Sequence, residues 1–142
     1  MTVQLRAPRP AVYDAVSDPH ALARWRFPGG MTSAVDVLDD GGFRVTLTYE
    51  TPDAQGKTTE HSDTYRARFT RLVQDELVVE VDEFETADPQ LAGEMTMTIT
   101  LRDTDGGTEL LAVHEGVPAG VAPEDNELGW RMALDRLAAV LG

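Results

Sequence analysis

The chain has 142 residues, 42% hydrophobic and 26% charged, a length that fits one domain over residues 1–142, because globular domains usually run to about 100–200 residues. Twelve basic residues against 25 acidic ones give a formal charge of -13, and a surface that negative repels phosphate backbones and anionic lipid, which argues against nucleic-acid binding. Cysteine is absent, which excludes a disulfide framework, thiolate catalysis and cysteine-based zinc sites, and no apolar run approaches the ~18 residues of a membrane-spanning helix.

The opening MTVQLRAPRP lacks a secretory pattern, so a cytoplasmic location without membrane insertion is expected. Val3–Leu5 alternates like a short strand until Pro8 and Pro10 stop it and start a helix, with Val12, Ala15 and Val16 on one face. Asp18-Pro19 repeats the start signal for a second short helix carrying Leu22 and Trp25, which Phe27-Pro28-Gly29-Gly30 ends.

From Ala34 to about Glu115 the hydrophobic period becomes two, the period of a sheet covered on one side. Phe43, Val45, Leu47 and Tyr49 share a face; so do His61, Asp63, Tyr65, Ala67 and Phe69, and Met95, Met97, Ile99 and Leu101. Leu77, Val79 and Val81 alternate with Glu80 and Asp82, which puts the two acids on the wet side. Asp105-Gly106-Gly107 reads as a hairpin turn, so the strands form an antiparallel meander. Thr108–Glu115 is apolar on both parities, and alternation leaves its inward face open.

After Pro118–Pro123 the period returns to 3.6, with Trp130, Ala133, Leu134, Leu137 and Leu141 on one face and Arg131, Asp135 and Arg136 turned away from it. Pro123 suits the first turn, where Glu124, Asp125 and Glu127 meet the positive end of the helix dipole. A long helix with a wide apolar face and a sheet wet on one side must cover each other. A twisted sheet curling around a helix leaves space near the ends of the groove, where small ligands usually bind.

Four stretches then resemble a known family in order and spacing. They are Ala7 to Pro19 (APRPAVYDAVSDP) with Leu22 and Trp25; Asp39 to Arg44 (DDGGFR); Gly107-Thr108-Glu109-Leu110 running to His114-Glu115-Gly116; and Gly129-Trp130 followed by Leu134, Leu137 and Ala138. Together they resemble the family similar to the activator of the heat-shock-protein-90 ATPase, in the START-like (SRPBCC, Bet v 1-like) superfamily. The resemblance implies an α+β helix-grip fold, a curved antiparallel sheet wrapped around a long C-terminal helix, with two short helices after the first strand and a cavity between sheet and helix. It also implies a range of functions, since the superfamily includes lipid and polyketide binders, aromatase/cyclases, hormone receptors and the cochaperone domain.

Two positions depart from the family pattern: Arg26 and Val81 stand where tryptophans are common, and both changes reshape the expected pocket. The cochaperone also carries a separate N-terminal domain, for which this chain is too short, and that weighs against a direct chaperone partner.

The expected binder of a small apolar or aromatic molecule draws on Trp25, Phe27, Tyr49, Tyr65, Val81, Met95, Met97 and Trp130, whose rings and thioethers suit an adaptable apolar pocket. Of His61, Asp63, Glu83, His114 and Glu115, four are expected to approach the groove mouth at strand ends and orient a ligand, Asp63 and Glu83 among the ligand-binding residues. His61 or His114 beside a carboxylate also provides for proton transfer, the basis of an alternative aromatase/cyclase-like reading. A stress- or chaperone-related protein-interaction module and a homodimer are further expectations. No metal or cofactor is expected: nucleophile-elbow, zincin, phosphate-loop and dinucleotide signatures are missing, and Asp82-Glu83-Glu85 lacks calcium-loop spacing and reads as a charged surface edge.

Overall fold

The computed structural model describes residues 1–27, 31–49 and 62–141. Strand β1 (Thr2–Leu5) leads into helix α1 (Arg9–Ser17), whose Val12, Tyr13, Ala15 and Val16 are buried. Pro10 sits in its first turn, where a missing N–H costs nothing. Helix α2 (Pro19–Leu22) follows at once, its N-cap Asp18 accepting from the His20 amide at 2.9 Å.

Six strands then run as an antiparallel meander: β2 (Met31–Val37), β3 (Phe43–Tyr49), β4 (Ser62–Val73), β5 (Leu77–Phe84), β6 (Glu94–Thr104) and β7 (Gly107–Glu115). The sheet order is β1-β7-β6-β5-β4-β3-β2, so the first strand joins the last while α1 and α2 carry the chain to the opposite edge. The curved sheet closes on helix α3 (Pro123–Leu141), 19 residues or about 28 Å long at 1.5 Å per residue, with Glu124 and Asp125 in its first turn. This is the helix-grip fold that the sequence implied. No described helix is long and apolar enough to cross a membrane.

The hairpin between β6 and β7 turns at Asp105-Gly106, with Gly106 at a positive φ of 84° that favours glycine. Gly107 is needed for another reason, since a Cβ there would run into the carbonyl oxygen of Leu5 on β1. The inward parity of β7, which alternation left open, is the even one: Thr108, Leu110 and Ala112 are buried while Leu111 and Val113 are exposed. Neighbours decide it, because Leu110 and Ala112 pair in register with the buried Leu101 and Ile99.

On β5 the expected phase is reversed. Val78, Glu80, Asp82 and Phe84 share the inward face, with Glu80 fully buried, whereas Val81 lies on the opposite parity outside the central apolar cluster. A bulge on the partner strand β4, between Phe69 and Arg71, shifts the register at the same level. Both parities of β5 carry aliphatic side chains, and alternation that starts from Leu77 names the wrong side.

The apolar cluster fills the groove towards the C-terminal end of α3: Val12 and Val16 of α1, Ile99 and Leu110 of the sheet, and Leu134 and Leu137 of α3 have no exposed surface. Burying each of the two leucines contributes about 1.5–3 kcal/mol. Towards the N-terminal end of α3 the filling stops.

Candidate functional site

Arg26 organises that unfilled end. The turn after α2 is held by the amides of Trp25 and Arg26, both donating to the carbonyl of Leu22 (3.2 and 2.8 Å). From the other side, Arg136 of α3 donates from Nε to the Trp25 carbonyl at 2.9 Å and from Nη2 to the Arg26 carbonyl at 3.3 Å. Arg136 is thus a strut between helix and turn, not the solvent-facing residue that helical periodicity suggested. Trp25 is sealed in the core and donates its Nε1–H to the Ala15 carbonyl at 2.9 Å.

The guanidinium of Arg26 lies 4.8 Å from the ring centre of Trp25 and 4.5 Å from that of Trp130, two cation–π contacts. Its Nη1 and Nη2 reach the two oxygens of Glu80 at 3.0 and 3.2 Å, a bidentate ion pair with the side chains 5% and 0% exposed. Burial, the largest influence, lowers the proton affinity of Arg26, but the charge and hydrogen bond of Glu80 together with Tyr65 and Asp82 outweigh it and raise that affinity above the ordinary value. For Glu80, burial is the largest influence and pulls upward, yet the Arg26 charge together with hydrogen bonds from Asp82 and Arg26 holds the carboxyl below its usual range.

Asp82 is the opposite case. Burial first, then the negative charge of Glu80 beside it, push its carboxyl well above the usual range, and the two carboxyls share a hydrogen bond. Asp82 therefore holds a proton more tightly than Glu80 does. Burial, with Asp82 next in size, likewise raises Tyr65 and keeps it a neutral phenol. Burial and then the Arg26 charge lower the His114 imidazole to about 4, with Glu80 pulling weakly the other way. His114 stacks edge-on to Trp130 at 4.6 Å, and its Nδ1 meets the amide nitrogen of Asn126 on α3 at 3.1 Å.

Between these groups and α3 lies a cavity of about 310 Å³. Tyr65, Phe84, Met95, Met97 and Trp130 give its apolar wall; Arg26, Asp63, Asp82 and His114 give polar surface, and Asn126, Gly129 and Ala133 of α3 close one side. Among the described residues, three covered polar atoms beside it have no hydrogen-bond partner: Arg26 Nε, Asp82 Oδ1 and His114 Nε2.

Of the residues singled out from sequence, Phe27, Asp63, Tyr65, Met95, Met97, His114 and Trp130 come together on this cavity. Trp25 stands behind it, against Trp130 at 6.4 Å between ring centres. Val81 and Glu83 do not reach it, for β5 turns them to the other face, where Glu83 is exposed. Glu115 is also exposed and off the cavity. His61 and the side chain of Tyr49 lie outside the described residues.

Asp82, assigned to a charged surface edge, is instead buried beside the cavity. Sequence reading also missed Glu80 as an inward residue and gave Arg26 no partner. The available signal was the shared parity of Glu80 and Asp82 with Val78 and Phe84, together with an arginine where the family pattern has tryptophan.

Residues 6–142 match the family described as Activator of Hsp90 ATPase homolog 1-like protein. A crystal structure of protein CV1439 from Chromobacterium violaceum is 33% identical, with a TM-score of 0.83 over 99% of this chain and 94% of that one. The AHSA1 protein from Silicibacter pomeroyi is 18% identical with a TM-score of 0.75, over 99% and 94% of the two chains. A solution structure of a protein from Arthrobacter aurescens, 18% identical, has a TM-score of 0.79 over 99% and 83%. No curated protein matches the chain in sequence.

Proposed function

This chain belongs to the Activator of Hsp90 ATPase homolog 1-like family, and on that premise we propose that it binds or carries a small, largely apolar or aromatic molecule between the sheet and α3. The observation that carries this reading is the cavity itself, about 310 Å³ bounded by Tyr65, Phe84, Met95, Met97 and Trp130 with a few polar groups at one end. That size lies at the low end of ligand sites, about 300–1,000 Å³, and a mostly apolar wall with few convergent polar groups is their usual composition. The family's name refers to activation of the Hsp90 ATPase; the chemistry-bearing residues of this chain lie in the cavity.

The test uses N-phenyl-1-naphthylamine, an uncharged probe whose fluorescence rises in apolar surroundings. Saturable binding of one probe per chain is expected, and the Gly129→Phe variant is expected to weaken it by about tenfold or more. A Cβ at Gly129 meets no described atom within 4 Å, so the phenyl group has room to occupy the cavity side of α3 without displacing a neighbour. Failure of the wild-type protein to bind the probe, or undiminished binding by the variant, overturns the assignment to this cavity.

A second reading, a cyclase-like enzyme, draws on Asp82. A carboxyl whose proton affinity is raised beside an apolar cavity has the character of a general acid, and His114 lines the same space. Incubation with linear poly-β-ketone thioesters separates the readings: cyclised product lost in Asp82→Asn favours the enzyme, and release of the compound unchanged favours the carrier.

A further inference from the structure

All the sulfur of this chain is in methionine, since cysteine is absent and five methionines are present. Three of the five converge on the cavity, Met95 and Met97 from β6 and Met132 from α3. Leucine fills an apolar wall with less loss of rotamer freedom than methionine does. What methionine adds is adaptability and a thioether that an oxidant attacks.

The three thioethers differ in access. Met97 is 3% exposed and belongs to the apolar cluster, Met95 is half-buried, and Met132 is 48% exposed. Asp125, Gly129, Met132 and Arg136, spaced at helical intervals, form the stripe of α3 along the cavity. The first three of these are exposed, so this flank of the helix is where the cavity meets solvent. Met132 thus faces water and the ligand space together, and its oxidation alters the cavity wall itself.

We propose that Met132 is an oxidation site that controls the cavity: a hydroperoxide converts its thioether to the sulfoxide, and the oxidised protein holds its apolar ligand more weakly. The proposal rests on the binding reading above and adds regulation to it. The sulfur lone pair attacks one peroxide oxygen, an S–O bond forms as the O–O bond breaks, and the proton of the attacked oxygen goes to the departing hydroxide, which leaves as water. Sulfur is oxidised by two electrons and the peroxide is reduced by two. The new oxygen is a strong acceptor that requires hydration, which draws the side chain out of the apolar wall.

A time course in hydrogen peroxide tests this, with peptide mapping of each methionine and N-phenyl-1-naphthylamine affinity measured at every point. Met132 is expected to oxidise ahead of Met95, with Met97 last. Affinity is expected to fall about tenfold as Met132 sulfoxide accumulates, and to return after treatment with methionine sulfoxide reductases and a dithiol. In Met132→Leu the same exposure is expected to change affinity by less than about threefold, and Met132→Gln, with a polar amide at the same place, is expected to bind about tenfold more weakly than Met132→Leu. Undiminished affinity once Met132 is oxidised, or oxidation of Met95 or Met97 ahead of it, overturns the proposal and leaves the cavity reading intact. A peroxide-dependent fall as large in Met132→Leu as in the wild type overturns the assignment to Met132. Untreated protein that fails to bind the probe removes the cavity reading and this proposal with it.

Discussion

The two ends of the groove under α3 are built from the same strands and the same helix, yet they solve different problems. At one end Val12, Val16, Ile99, Leu110, Leu134 and Leu137 meet with no exposed surface, and packing accounts for every one of them. At the other, Arg26, Glu80 and Asp82 are buried around a space of about 310 Å³. Apolar residues of matching volume serve stability as well as a buried ion pair or better, since desolvation offsets much of the attraction. The contrast teaches that the charged end is not explained by folding, and its retained space and unpartnered atoms point to use.

The largest expected effect breaks the polar end. Glu80→Ala strands the Arg26 charge between two indoles and should cost about 3–5 kcal/mol in urea unfolding, whereas the paired Arg26→Met and Glu80→Leu replacement should recover most of it. A loss below about 1 kcal/mol for Glu80→Ala would show the pair to be solvated after all. Leu134→Ala probes the apolar end and should cost about 2–5 kcal/mol in the same unfolding measurement.

The smallest effect is a pH dependence that belongs to the polar end. An unfolded histidine titrates near ~6.5, and His114 in the folded chain titrates at about 4, so between these values the unfolded chain binds the extra proton. Stability should therefore be lost as pH falls from ~6.5 towards 4, and His114→Gln should lose less over that window when melting temperatures are compared. Parallel curves for the two proteins would mean that the imidazole is not shielded as described.

Much of the fold was legible because each element announces itself locally. Period two marks β3, β4 and β6, period 3.6 marks α3, and Pro10, Pro19 and Pro123 mark helix starts. The cavity wall of Tyr65, Met95, Met97 and Trp130 followed from the same periods. The polar end did not, and β5 shows why. Both its parities carry aliphatic side chains, so the choice of face rests on whether Glu80 has a buried cation to meet, and that cation is Arg26, 54 positions earlier. A pairing of that kind is invisible to any window of neighbours. Arg136 illustrates the same limit, for its partners are the backbone carbonyls of Trp25 and Arg26, which no side-chain pattern reveals.

The neighbouring positions of β1 and β7 bear on the order in which the molecule can assemble. Thr2 pairs with Leu111 and Leu5 with Thr108, so β1, made before the other strands of the sheet, has no place in it until more than a hundred further residues have been made. During synthesis the meander from β2 onward has adjacent partners to work with, while β1 and the sequence that will become α1 wait with their apolar faces uncovered. Closure over such long separations is slow, and exposed apolar segments in the interval are open to misassociation. The strand made before the rest of the sheet is among the last to be placed, and α3, made after all seven strands, completes the wall of the cavity.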